Sequence, residues 1–270
     1  MIDIGVNLTN ARFDKDRDAL IMRAKFAGIK AMLVTGTNIL ESYKAALLSE
    51  QYPDYLYSTA GVHPHDADNV SDTYLEEIRV LAKNKAVKAI GECGLDFNRN
   101  FSAPKQQEKV FSEQISLAAE LQLPLFLHQR DAFSAWFQLL SPYLNSVPAM
   151  VSHCFTGNGD ELDQCLSAGM YIGITGWVCD LNRGQALREA TKNLPLNRIL
   201  LETDAPYLRP KGLANNRKVD NGNNEPAYLP YIAEEVANLM SISSESLMVA
   251  CGENVQSLFT LTSRTTLNVG

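Results

Sequence analysis

A chain of 270 residues, 46 % hydrophobic and 20 % charged, has the make-up of a soluble globular protein, and none of its apolar runs reaches the roughly 18 residues of a membrane span. Its formal charge of -7 and isoelectric point near 5.2 exclude a protein that coats nucleic acid by bulk electrostatics, but not an enzyme that holds phosphate through metal ions and a few arginines. Five cysteines, at 93, 154, 165, 179 and 251, form no CxxC pair and are odd in number, which fits reduced thiols in the cytosol. The start, "MIDIGVNLTN", shows no basic stretch followed by an apolar one, so no secretory signal is expected.

Short β-rich runs then alternate with longer helical patterns. The run 2–7 (IDIGVN) leads to a helix at 13–27, 31–36 (AMLVTG) to 38–51, 56–63 (LYSTAGVH) to 71–83, and 87–92 (VKAIGE) to 104–122. The run 124–128 (PLFLH) leads to 131–141, 148–153 (PAMVSH) to 158–168, 170–175 (MYIGIT) to 182–193, and 199–204 (ILLETD) to two closing helices at about 228–240 and 243–258. The helix at 104–122 has Ser102 as a candidate N-cap, Pro104 early, and apolar residues at Val110, Phe111, Ile115, Leu117 and Ala118. Segment 209–226 reads as a linker-like loop, and "NNEPAYLP" as a helix start with Asn223 or Asn224 capping and Pro226 in the first turn.

Eight strands, each followed by a helix, fit a single (β/α)8 TIM-type barrel domain over 1–270, and the strands are near-continuously apolar, as parallel strands covered on both faces should be. A doubly wound open sheet is the rival, since periodicity does not distinguish an open sheet from a closed one. A dinucleotide-binding version lacks the GxGxxG that should follow its first strand.

In a barrel, side chains at the C-terminal strand ends converge. Here strand three ends at His63, strand four at Glu92, strand five at His128, strand six at His153 and strand eight at Asp204. Two carboxylates with imidazoles suit a divalent metal with open positions for water and substrate. Alternation places Phe126 on the side of His128, with Leu125 and Leu127 toward the helices. It also turns Cys93 and Cys154 outward, to pack under helices. Glu202 shares the side of Asp204 one layer deeper, as a support for the ligands.

The segments "GVHPHD", "AIGECGLD", "SHCFTG", "ETDAPYL" and "NEPAYLP" together resemble the TatD family of metal-dependent deoxyribonucleases, in the amidohydrolase-like barrel superfamily, across essentially the whole chain. "DIGVNLTN" and "YIGITGWVCD" point to one branch within it. The resemblance implies a TIM-type barrel, a divalent metal, and 3'-to-5' exonuclease action on single-stranded DNA, with RNA as a further substrate. It implies that Glu92 is a metal-bridging carboxylate, His128 and His153 ligands of one metal, and Asp204 a ligand and catalytic base. His63 is placed as a catalytic histidine near the scissile phosphate. Most of the family carry an HxH pair after an Asp, where this chain has Gly5 and Asn7. Gly5 cannot ligate, and Asn7 offers only a neutral oxygen. One metal position thus loses its imidazoles, and Mg²⁺ would occupy it only when substrate phosphate adds ligands. Mg²⁺ is the expected ion, with Mn²⁺ and Zn²⁺ as alternatives. Family members often carry Arg where this chain has Asn223.

Candidates to hold phosphate are Asn7, His65, Arg99, Arg130 and the basic residues Arg209, Lys211, Arg217 and Lys218. Trp177 and Tyr207 are candidates to stack on bases. The expectation is a cytosolic, monomeric exonuclease in DNA repair or turnover, without membrane contact. The alternatives are an amide, lactone or phosphotriester hydrolase on the same barrel, and an accessory binding protein with little turnover.

Overall fold

In the computed structural model, which describes residues 1–213 and 222–261, eight parallel strands form one sheet in sequence order. They are β1 (Ile2–Val6), β2 (Ala31–Val34), β3 (Leu56–Ala60), β4 (Val87–Asp96), β5 (Leu125–Arg130), β6 (Met150–Ser152), β7 (Tyr171–Ile174) and β8 (Ile199–Leu201). Between them run α1 (Arg17–Phe26), α2 (Ile39–Gln51), α3 (Tyr74–Leu81), α4 (Pro104–Leu121), α5 (Phe133–Leu140), α6 (Gly159–Ser167) and α7 (Gln185–Thr191), followed by α8 (Leu229–Met240) and α9 (Ser244–Phe259). The open-sheet alternative is overturned at the seam between β8 and β1. There Asp204 N donates to Gly5 O (2.8 Å), Asn7 N donates to Ala205 O (2.8 Å), and Val6 bridges Ala205. Asp3 reinforces this seam: its Oδ1 accepts from Thr203 N at 2.9 Å and its Oδ2 from the Thr203 hydroxyl at 2.6 Å.

The strands separate two apolar layers. Ile4, Leu33, Tyr57, Ala89, Phe126, Val151, Tyr171 and Leu200 fill the barrel interior, joined by Val255, Leu258 and Phe259 of α9. Asn254 of α9 donates to Leu196 O and Ile199 O, at the entry to β8. This helix therefore plugs the N-terminal end of the barrel and leaves the opposite mouth for chemistry. Leu125 and Leu127 belong to the outer layer under the helices, as alternation predicts.

Three interruptions in the ladders, one of them between Val87 and Ala89 on β4, decide which residues face the mouth. The pairing slips between Asp3 and Val6 on β1 and between Gly91 and Cys93 on β4. An extra residue in a strand reverses its later side chains. Ala89 and Glu92 can therefore both point inward although three positions separate them. β4 also continues to Asp96, pairing with Arg130, four residues past the expected strand end.

Several capping expectations fail. Ala103, not Ser102, precedes α4. The Ser102 hydroxyl instead donates to His65 O and accepts from Asp68 N, joining two loops. Asn224 caps no helix; it donates to Thr203 O, while Glu225 precedes a 3-10 turn at Pro226–Tyr228 that leads into α8. Of the loop 209–226, residues 214–221 lie outside the described residues, and Arg217 and Lys218 with them.

Candidate active site

The barrel mouth opens into a cleft of about 1370 Å³ whose lining includes all four histidines, Glu92 and Asp204. At its floor Glu92 is the hub. Its Oε1 lies 2.9 Å from His128 Nδ1, 3.5 Å from His63 Nε2 and 3.7 Å from His153 Nε2. Asp204 Oδ1 is 4.0 Å from His153 Nε2 on the far side. The backbone of Asp204 is left-handed (φ 55°), which turns its carboxylate off the strand direction. Asn7 Nδ2 donates to Asp204 Oδ1 at 3.0 Å, so Asn7 orients this carboxylate.

Hydrogen bonds sort the imidazoles. His153 Nδ1 lies 2.5 Å from Glu202 Oε2, which fixes that nitrogen as the donor and leaves Nε2 toward Glu92 and Asp204. His63 is set the other way. Its Nδ1 accepts from His65 N at 3.1 Å, so the ring proton sits on Nε2, facing Glu92. His128 Nε2 is buried with no hydrogen-bond partner among the described residues. One ligand atom from each of His63, Glu92 and His128 falls within 4.8 Å of the others, a spacing that fits a cation. By donor chemistry, however, His153 suits a metal better than His63, because Glu202 anchors its Nδ1 as a carboxylate does for a ligating imidazole, and a cation would displace the proton on Nε2.

The electrostatics follow from burial and these contacts. Burial alone would raise Glu92, but the imidazoles of His63, His153 and His128 outweigh it and hold its carboxyl well below the usual range. Burial pushes Asp204 up to about 7, with Glu92 and Glu202 adding to the rise and His153 opposing it. Burial also lowers His63 to about 3, keeping it neutral. For His153 burial opposes the charge, yet the carboxylates of Glu202, Glu92 and Asp204 raise it to about 10.

Glu202 holds its place because two glycines make room. A Cβ at Gly5 or at Gly173 would collide with its carboxylate. Its Oε1 also accepts from Cys154 N at 2.5 Å. The space of one missing imidazole is thus taken by the carboxylate that orients His153.

Sequence reasoning missed Asp96. It is 3 % exposed, lies 2.7 Å from His65 Nε2 and 3.6 Å from His128 Nε2, and accepts from Arg99 N. The signal was its step of two from Gly94 and four from Glu92 on one strand. Cys154 is a correction: it lines the cleft instead of packing under helices. β6 ends at Ser152, and the left-handed backbone of Cys154 (φ 46°) breaks the alternation. Burial, with Asp204 and Glu202 nearby, pushes its thiol well up, which disfavours the thiolate. Cys93 lies in the outer layer as predicted.

His65, Arg99, Arg130, Arg209, Trp177 and Tyr207 all line the cleft. Arg209 lies over the Tyr228 ring at 5.5 Å. Lys211, which does not line the cleft, sits 4.0 Å from Asp180.

A family model described as TatD related DNase matches residues 2–260. A curated relative from Pectobacterium atrosepticum, named 3'-5' ssDNA/RNA exonuclease TatD, is 51 % identical over 261 residues, covering 97 % of this chain and 100 % of its own. One of the same name from Dickeya dadantii is 52 % identical over 259 residues, covering 96 % and 97 %. Among solved structures, the TatD homologue YjjV from Escherichia coli superposes with a TM-score of 0.87 at 26 % identity, covering 97 % of this chain and 98 % of its own.

Proposed function

The chain belongs to the TatD-related DNase family, and on that premise we propose that it is a metal-dependent nuclease that shortens single-stranded DNA, and RNA, from the 3' end. The observation that carries this reading is the gathering of three imidazoles around Glu92 beside Asp204, at the floor of a cleft wide enough for a flexible strand.

In this reading Glu92, His128, His153 and Asp204 hold the divalent ion, Mg²⁺ by preference, with Mn²⁺ and Zn²⁺ as alternatives. The unpartnered His128 Nε2 supports it, as does Glu202, which engages His153 Nδ1 and leaves Nε2 facing Glu92 and Asp204. A bound divalent ion neutralises phosphate charge and lowers the pKa of water. Asp204, oriented by Asn7, takes the proton from the attacking water. His63, neutral with its proton on Nε2, donates to a phosphate oxygen. His65, Arg99 and Arg130 hold phosphates further along the strand. The reading extends to one barrel domain working as a monomer in the cytosol, in DNA repair or turnover. Five free cysteines suit that compartment. Among the described residues no helix is long and apolar enough to cross a membrane.

The test is a 5'-labelled single-stranded oligonucleotide incubated with the protein and Mg²⁺, Mn²⁺ or Zn²⁺, then resolved on a denaturing gel. A ladder shortening from the 3' end and abolished by EDTA is expected. A strand left intact with all three ions would overturn the proposal.

A further inference from the structure

At the rim of the cleft two arginines rest on aromatic rings instead of on carboxylates. The Arg130 guanidinium, at the end of β5, lies over the Trp177 ring at 5.2 Å, reaching across the loop that follows β6. The Arg12 guanidinium, in the loop after β1, lies over the Tyr207 ring at 5.3 Å. Both distances fall inside the roughly 6 Å at which a ring face attracts a cation. All four residues line the same cleft as Glu92. Among the described residues neither guanidinium meets a carboxylate.

Their neighbours show the contrast. Arg183 also lies over Trp177, at 4.4 Å, but its Nε donates to Asp180 at 2.7 Å. Arg17 in the same cleft is tied to Asp14 and to Leu8 O. A guanidinium paired with a carboxylate has spent its donors and its charge. One held over a ring keeps its N–H donors uncommitted to a carboxylate. Asn10 Nδ2 donates to the Tyr207 hydroxyl at 3.1 Å, which fixes this ring as well.

The order of the strands around the barrel gives the arrangement its sense. Trp177 follows β7, Asp204 and Tyr207 both follow β8, and Arg12 follows β1, so one pair approaches the Asp204 loop from the β7 side and the other from the β1 side. We infer that Trp177 and Tyr207 are positioning residues that hold Arg130 and Arg12 by cation–π contact, so that their donors grip backbone phosphates of the single strand lying in the cleft. The inference rests on the exonuclease reading and deepens it. It gives the two aromatic rings a task other than stacking on bases, and makes the grip independent of base identity.

The test is steady-state cleavage of a labelled single strand with Mg²⁺, comparing variants by KM and kcat. Losing a contact made equally in ground and transition states raises KM and leaves kcat alone. Trp177→Leu should raise KM about fivefold, and Trp177→Phe, which keeps a ring face, should restore most of it. Arg130→Ala should raise KM about tenfold and flatten its salt dependence by roughly 0.7 in log–log slope, the share of one phosphate contact on a single strand. Adding Trp177→Leu to Arg130→Ala should then change little, because the ring acts through the arginine. Tyr207→Leu and Arg12→Ala should behave as a second such pair. The inference is overturned if the unmodified protein degrades the strand while Trp177→Leu leaves KM unchanged or lowers kcat alone. It is equally overturned if the ring and arginine effects multiply independently. A strand left intact by the unmodified protein overturns the exonuclease reading instead, and this inference with it.

Discussion

Glu202 occupies a slot that only glycine can line, between Gly5 and Gly173, and from there it sets the ring proton of His153. His63 has the opposite tautomer because a backbone N–H occupies its Nδ1. Two histidines of the same cluster are thus anchored differently, His153 donating from Nδ1 to a carboxylate and His63 accepting at Nδ1 from the backbone. Glu202→Gln keeps the shape but removes the charge, so calorimetric titration with Mn²⁺ should show affinity weakened about 10- to 100-fold. An unchanged affinity would mean that Glu202 does not orient a ligand. The ligand-type residues were legible because apolar runs ended on them. Asp96 was missed because it lies beyond the expected end of its strand, and Cys154 was misplaced because a left-handed backbone residue leaves no mark in the alternation of side chains.

Among the elements, β1 bears the constraint of closing the barrel. Its ladder to β8 is short, and Asp3 compensates by accepting from the backbone and hydroxyl of Thr203. Burial raises the Asp3 carboxyl from 3.8 to about 7 against the pull of those hydrogen bonds. A raised carboxyl binds its proton more tightly in the folded state. Its stabilisation is therefore full below about pH 4 and is lost as pH rises toward 7. Glu92 and Asp96, held low, act in the opposite sense, so the comparison must isolate Asp3. In urea unfolding of EDTA-treated protein, the unmodified chain should lose about 2–3 kcal/mol relative to Asp3→Asn between pH 5 and pH 8. Parallel pH profiles for the two proteins would contradict this. Element order and type could be read from the sequence because buried parallel strands are continuously apolar and the helices keep their period. The slips in β1 and β4 could not, since an extra residue in a strand looks like any other residue.

Taken as a whole, the molecule is a closed ring plugged at one end by α9 and open at the other, where side chains from β3, β4, β5, β6 and β8 meet. Closure gathers the charges, and charge then couples metal binding to protons. His153 is held protonated by Glu202, Glu92 and Asp204 despite its burial, so a cation must displace a proton from it. Affinity for Mn²⁺ should rise at least about tenfold per pH unit from pH 6 to pH 8, most steeply below pH 7, where Asp204 must give up its proton as well, read by titration at fixed ionic strength. An affinity flat in pH would mean that His153 is no ligand. The central claim is that Glu92 with His128 and His153 holds the cation while His63 stands beside it as a proton donor. Calorimetric titration of Mn²⁺ into Glu92→Gln and His63→Gln tests this most directly. The account predicts that Glu92→Gln loses affinity at least about a hundredfold while His63→Gln stays within about threefold of the unmodified protein. Equal losses in the two variants would contradict it and would make His63 a ligand.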